Sequence, residues 1–314
     1  MQRDVIVREV GLRDGLQLVK SFVPAETKLA WARAVAAAGV PEVEVTSFVP
    51  AKVIAQFADA TEIAKGALGI PGPVWCALTP NRKGAELAMT AGMRKINFVM
   101  SVSEGHNLSN VRKSTDQSFE EFRQIVELRN SRPEWKGVVL QGCLATSLGC
   151  TIEGYVPPDR VLSFINRYLE LGADEITLAD TVGYASPSEV SNLFHHAMKI
   201  VDKRPVYAHF HDTRGLGLAN VFGALEAGVR GFDASTGGLG GCPFAPGASG
   251  NIVMEDLVFL LEKEGLKTGV DLEKYRAVRN IAEKALPDEK FYGTILKAGL
   301  PKGFTPPSVQ IAAE

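Results

Sequence analysis

Cysteine is scarce: the 314 residues hold four, Cys76, Cys143, Cys150 and Cys242, with no CxxC pair. That excludes a disulfide-stapled fold and fits a reducing compartment, with thiols that are mostly core residues and one left for chemistry. No stretch approaches the ~18 consecutive apolar residues of a membrane helix. The start, Met1-Gln2-Arg3-Asp4-Val5, carries neither an apolar signal region nor an Arg/Ser-rich transit peptide, so a cytoplasmic location is expected. There is no long basic run, and 34 basic against 36 acidic residues leave a net charge of -2. Nucleic acid and membrane are therefore not expected partners. Nor is the chain poor in core-forming residues: 46% apolar and 22% charged exclude wholesale disorder. Its length suggests about two domains or one large barrel, burying roughly three quarters of the unfolded surface.

What is present is alternation. Strand-like runs fall at 5–10, 42–48, 73–79, 95–102, 138–145, 175–180, 205–211 and 230–235. Helical patterns fall near 25–38, 51–66, 81–91, 117–130, 157–171, 187–201, 215–227 and 251–264. Gly39, Gly92, Gly172 and Gly228 follow four of the helix ends, where a left-handed residue is often needed. Strict alternation predicts a parallel sheet, and eight units predict closure into a TIM (β/α)8 barrel. The competing open, doubly wound sheet lacks a GxGxxG after its first strand. The barrel should end near residue 264, with one more helix at 271–285. Residues 1–286 then form one domain, and 287–314 a short cap and tail.

In such a barrel the active site lies at the C-terminal ends of the strands. The first strand ends in Glu9-Val10-Gly11-Leu12-Arg13-Asp14-Gly15-Leu16-Gln17. Its Arg-Asp pair offers a polarising cation and a metal-binding carboxylate, or simply a solvated turn. The seventh carries His209-Phe210-His211-Asp212. Residues two apart share a face, so both imidazoles can reach one divalent ion, or sit as satisfied polar groups; Asp212 points away and reads as structural. After the eighth comes a glycine-rich stretch, 237–250, with Cys242 inside it and Asn251 at its end. It reads as a phosphate cradle or as a lid bearing a thiol, and Asn251 as a ligand or a helix cap. Glu44 and Asp180 add carboxylates at two further strand ends. Asp14, His209, His211 and Asn251 would form an oxygen- and nitrogen-rich set suited to Mg²⁺ or Mn²⁺ rather than structural zinc.

The segments VREVGLRDGLQ (7–17), VEVTSFVP (43–50), LTPNRKG (78–84), LADTVG (178–183), HFHDTRGLGLAN (209–220) and GGLGGCPFAPGASGNIVMEDLVFLLE (237–262) are long and specific. On them, from about residue 5 to 285, the chain resembles the 3-hydroxy-3-methylglutaryl-CoA lyase family, metal-dependent TIM barrels that cleave a branched hydroxyacyl thioester to acetyl-CoA and acetoacetate. The resemblance implies metal ligation by Asp14, His209, His211 and Asn251. It also implies catalytic roles for Arg13, Glu44, Asp180 and Cys242, and an acyl-CoA partner lying across the barrel mouth. Homo-oligomers are common among similar barrels and are expected here.

Three departures bear on the substrate: Ala145 where the family often has Ser, Arg214 where an aromatic is common, and Pro246 where Gln is frequent. Gln17, Ala145 and Arg214 are the expected substrate-side residues, and Asn81, Arg82 and Lys83 candidate neighbours of the CoA arm. A citramalyl-CoA lyase, releasing acetyl-CoA and pyruvate, is the alternative these changes raise. A Claisen-condensing synthase, a biotin-dependent carboxyltransferase barrel and a non-catalytic scaffold are weaker alternatives. The first lacks its regulatory domain, the second its biotinyl segment, and the third would not keep the ligand set.

Overall fold

Eight short strands close on themselves in chain order, each parallel to its neighbours, with the first pairing the last. In this computed structural model, which describes residues 3–241 and 250–307, they are β1 (Ile6–Glu9), β2 (Glu42–Ser47), β3 (Val74–Thr79), β4 (Lys95–Ser101), β5 (Val139–Ala145), β6 (Glu175–Asp180), β7 (Val206–Phe210) and β8 (Gly231–Ala234). All eight fall where alternation placed them. The helices are α1 (Ala25–Ala37), α2 (Ala60–Leu68), α3 (Arg82–Thr90), α4 (Glu104–Val111), α5 (Thr115–Ser131), α6 (Pro158–Leu171), α7 (Pro187–Val201), α8 (Gly217–Glu226), α9 (Met254–Lys263), α10 (Leu272–Ala285) and α11 (Ile295–Ala298). No described helix is long and apolar enough to cross a membrane.

Capping explains several boundaries. Ser114 and Ser186 form capping boxes with Gln117 and Glu189. Gly39, Gly92, Gly172 and Gly228 all adopt positive φ, as the repeated helix-end phrase predicts.

Three differences from the sequence reading are informative. The helix expected from residue 51 begins only at Ala60, because 50–59 is recruited to the rim: Gln56 accepts from the Val23 amide at 3.2 Å and donates to the Val19 carbonyl at 3.2 Å. Helix α4 was not anticipated; Ser103 caps it, accepting from the His106 amide. Strand β7 ends at Phe210, so His211 lies just beyond it, bridged to Asn251.

Barrel interiors are usually filled with branched aliphatics. Here a buried layer of charge crosses the barrel instead. Arg8 binds Asp233, Glu42 and Gln141. Lys95 pairs with Glu42 at 2.8 Å and Glu175 at 2.5 Å. Tyr207 donates to Glu42 at 2.9 Å, with Arg8 and Lys95 each 4.6 Å from its ring centroid. Because side chains alternate along a strand, the residues two further on, Glu44, Asn97, Cys143 and His209, belong to the next layer towards the mouth.

Candidate active site

Immediately after β1 the chain winds into one π-helical turn, Gly11–Gly15. The amides of Arg13, Asp14 and Gly15 all point to the Val10 carbonyl, at 3.1, 2.7 and 3.2 Å. The turn needs glycine at its start: the Gly11 amide donates to Glu9 Oε1 at 2.6 Å, and a Cβ there would lie 2.4 Å from that oxygen. It lifts Arg13 and Asp14 onto the mouth.

Arg13 is held from three sides. Its Nε donates to Glu44 Oε2, and its Nη1 to Asp14 Oδ1 at 2.8 Å and Gln17 Oε1 at 3.2 Å. Glu44 is fixed in turn by Asn97 Nδ2, which donates to Oε1 at 2.6 Å. Burial works against the Arg13 charge, but Glu44 and Asp14 outweigh it and keep the guanidinium protonated. Burial would likewise raise the Asp14 carboxyl, yet Arg13 and the two histidines hold it well below the usual carboxylate range.

Asp14, His209 and His211 each present a ligand atom, all within 4.8 Å of one another. The two histidine Nε2 atoms are 3.2 Å apart, and His211 Nε2 is 3.7 Å from Asp14 Oδ2. Asn251 Nδ2 donates to Asp14 Oδ2 at 2.7 Å and to the Leu239 carbonyl at 3.1 Å. Gly240 lies against this group: a Cβ on it would come within 2.6 Å of Asn251 Nδ2. Asn251 Oδ1 and His211 Nδ1 are buried without a partner. An orphaned buried polar atom costs about 1–3 kcal/mol. A carboxylate, two imidazoles and an amide oxygen left unpaired fit a divalent cation.

A cavity of about 480 Å³ opens over the group. Arg13, Asp14, Gln17, Glu44, His209 and His211 line its inner part, with Ala145, Cys143 and Thr181 beside them. Its outer wall is apolar, built by Leu18, Val19, Phe22, Val53 and Ile54, with Lys20 among them. Burial pushes the Cys143 thiol up to about 12, so it stays protonated at neutral pH.

Other expected residues stand elsewhere. Asp180 is turned to the backbone, accepting from the Tyr184 and Ala185 amides at 3.0 Å each, and so holds the turn after β6. Arg214 does not line the cavity: its Nη1 donates to the Val182 and Gly183 carbonyls at 2.9 and 3.2 Å, and its guanidinium lies 4.5 Å from the Tyr184 ring centroid. Those carbonyls and that ring satisfy the cation outside the pocket. Asp212 accepts from the Gly217 amide at 2.7 Å, a structural role. Asn81 caps α3, and neither Arg82 nor Lys83 lines the cavity. Cys242 and Pro246 lie outside the described residues.

The sequence reading passed over Asn97, Arg8 and Asp233. The available signal was charged or amide residues inside short strands: Asn97, two positions after Lys95, and Arg8 and Asp233 within the first and eighth runs.

A closed parallel barrel with an arginine–carboxylate pair beside an Asp/His/His cluster at its C-terminal mouth defines a (β/α)8-barrel enzyme with a divalent-cation site. The chain belongs to the HMGL-like family, which it matches over residues 4–282, and it is a lyase. It is 38% identical over 283 residues to a hydroxymethylglutaryl-CoA lyase of Bacillus subtilis, covering 90% of this chain and 93% of that one. It is 38% identical over 269 residues to the hydroxymethylglutaryl-CoA lyase of Pseudomonas mevalonii, covering 86% and 88%. Among solved structures, an HMG-CoA lyase from Acinetobacter baumannii in complex with coenzyme A and 3-methylmalate superposes with a TM-score of 0.89 at 39% identity, covering 96% and 97%.

Proposed function

We propose that the chain cleaves 3-hydroxy-3-methylglutaryl-CoA to acetyl-CoA and acetoacetate in the cytoplasm, using Mg²⁺ or Mn²⁺ held by Asp14, His209, His211 and Asn251. The observation that carries this reading is the placement of Arg13, anchored by Glu44 and Asp14 on the same cavity as the cation cluster. The relatives above are named for this substrate, and the Acinetobacter complex contains coenzyme A and a short hydroxylated diacid.

The reaction is a retro-Claisen cleavage. The tertiary hydroxyl loses its proton to a base, and the bond between C2 and C3 breaks. Its electron pair leaves with the thioester fragment as the acetyl-CoA enolate, and C3 becomes the ketone of acetoacetate. One proton then returns to the enolate carbon. The bound cation supplies Lewis acidity that lowers the pKa of a chelated hydroxyl.

Arg13 supplies fixed positive charge for the developing enolate oxygen. Glu44, braced by Asn97, keeps that guanidinium from swinging away, so no reorganisation is needed as charge develops. Gln17 braces the same cation from the other side. Cys242 is assigned the returning proton on sequence grounds. The apolar outer wall suits the pantetheine arm, and Lys20 on the same wall offers a cation to its phosphates.

The test is acetyl-CoA release by purified enzyme with and without Mg²⁺ or Mn²⁺, offering 3-hydroxy-3-methylglutaryl-CoA beside citramalyl-CoA. Metal-dependent cleavage of the first is expected. Cleavage of citramalyl-CoA alone would keep the chemistry and move the substrate, with Ala145, which lines the cavity, the first residue to exchange.

A further inference from the structure

Where the cation cluster meets the buried charged layer, three residues stand side by side on neighbouring strands. Arg8 on β1 is the register partner of Asp233 on β8, and Asp233 is the register partner of His209 on β7. In-register neighbours of a parallel ladder project to the same side, so the three side chains meet inside the barrel. Arg8 donates from Nε to Asp233 Oδ1 and from Nη2 to Oδ2, both at 2.8 Å. Oδ2 also lies 3.1 Å from His209 Nδ1. Arg8 has no freedom to release Asp233: it is buried, and its Nη1 is bound to Glu42 and Gln141 at 3.2 and 2.6 Å.

A carboxylate gripped by a bidentate guanidinium is ionised and can only accept. His209 Nδ1 must then carry the proton in this contact. A neutral imidazole has one N–H, so Nε2 keeps its lone pair. Nε2 is the nitrogen that faces the cluster, 3.2 Å from His211 Nε2. Histidine in water prefers the other tautomer, which would aim an N–H at the place where a cation needs a lone pair.

We infer that Asp233 is a positioning residue: aimed by Arg8, it fixes the tautomer of His209 and thereby sets how tightly the cluster holds its cation. Partners of this kind orient a ligand and raise its basicity, and losing one typically weakens metal binding about 10–100-fold. The inference rests on reading Asp14, His209, His211 and Asn251 as a cation site. To that site it adds two residues, Asp233 and Arg8, that act through His209 rather than as ligands.

The test uses the full chain, metal-free and ¹⁵N-labelled at histidine. Two-bond ¹H–¹⁵N correlation spectra, assigned with a His209→Asn variant, should show His209 protonated at Nδ1 and bare at Nε2. Asp233→Ala should move that proton towards Nε2 and weaken Mn²⁺ binding, measured by calorimetry, about 10–100-fold. Asp233→Asn, which keeps a neutral acceptor, should fall between the two. A wild-type His209 protonated at Nε2 overturns the inference, as does a folded Asp233→Ala with wild-type Mn²⁺ affinity. If Asp233→Ala does not fold, the wild-type spectrum still decides. Wild-type protein that binds no Mn²⁺ overturns the cation-site reading and the inference with it.

Discussion

Two buried polar layers are stacked along the barrel axis, and they are built to opposite rules. In the lower one, Arg8, Glu42, Lys95, Gln141, Tyr207 and Asp233 leave no buried polar atom without a partner. In the upper one, Asn251 Oδ1, His211 Nδ1 and Asn97 Oδ1 are buried and unpaired. The two layers use similar chemistry at similar depth, so burial alone does not mark a functional site. The mark is incompleteness: a closed network spends its groups on itself, whereas an open one keeps ligand atoms for something else. The same contrast appears in single carboxylates. Burial would raise Asp233, but Arg8 and His209 pull it down to about 2. Glu9, equally buried, has among the described residues Tyr275 and the amides of Thr236 and Gly11 to bond and no cation, and burial pushes it up to about 7.

The contrast can be broken at the lower layer first. Arg8→Met leaves Asp233 without its guanidinium and Glu42 with Lys95 alone in the barrel interior, and should cost about 3–5 kcal/mol of stability, read by denaturant unfolding. A loss below about 1 kcal/mol would mean that water reaches this layer and that it is not closed. At the upper layer, Arg13→Gln should act on turnover, lowering kcat on the order of 10²–10³-fold with Mn²⁺ binding retained. It should cost less stability than Arg8→Met, because the cavity admits water to whatever Arg13 leaves unpaired. An unchanged kcat would remove Arg13 from the reaction.

Glu9 sharpens the comparison through pH. Its folded pKa lies above the ordinary value of 4.5, so between these two values the native state holds a proton that the unfolded chain has released. Its contribution is therefore fully present below about pH 4.5 and lost as pH rises through about 7, roughly 3 kcal/mol in all. Glu9→Gln should flatten that slope, measured as unfolding free energy at pH 5 and pH 8. Identical slopes in the two proteins would show that Glu9 stays ionised. The smallest effect is expected outside both layers: Arg214→Ala should cost about 0.5–1 kcal/mol through its lost stacking on Tyr184. The ratio of rates on the two thioesters should not change, and a changed ratio would return Arg214 to the acyl pocket.

Much of this was legible before any coordinates. The alternation of short strand-like runs with longer helical runs located all eight strands, because each short strand of a closed parallel sheet must bury both faces. The Arg13-Asp14 pair and the two histidines were legible because they sit where strands end, and in a barrel all strand ends meet at one mouth. Less was legible where a side chain's partner is remote in sequence. Arg214 looked like a pocket cation until two carbonyls 31 and 32 residues away claimed it. Asp180 looked like Glu44, yet one binds the backbone of its own turn and the other a guanidinium.

The sequence by itself determined the strand order, the closure of the barrel and the kinds of residue at its mouth, since these follow from local periodicity and from the geometry of parallel strands. Only the tertiary structure decided which polar groups satisfy one another across the barrel. The Arg8–Asp233 pair spans 225 residues, and nothing local to either residue predicts the other. Strand register brings them together, and register is set by the packing of the whole barrel.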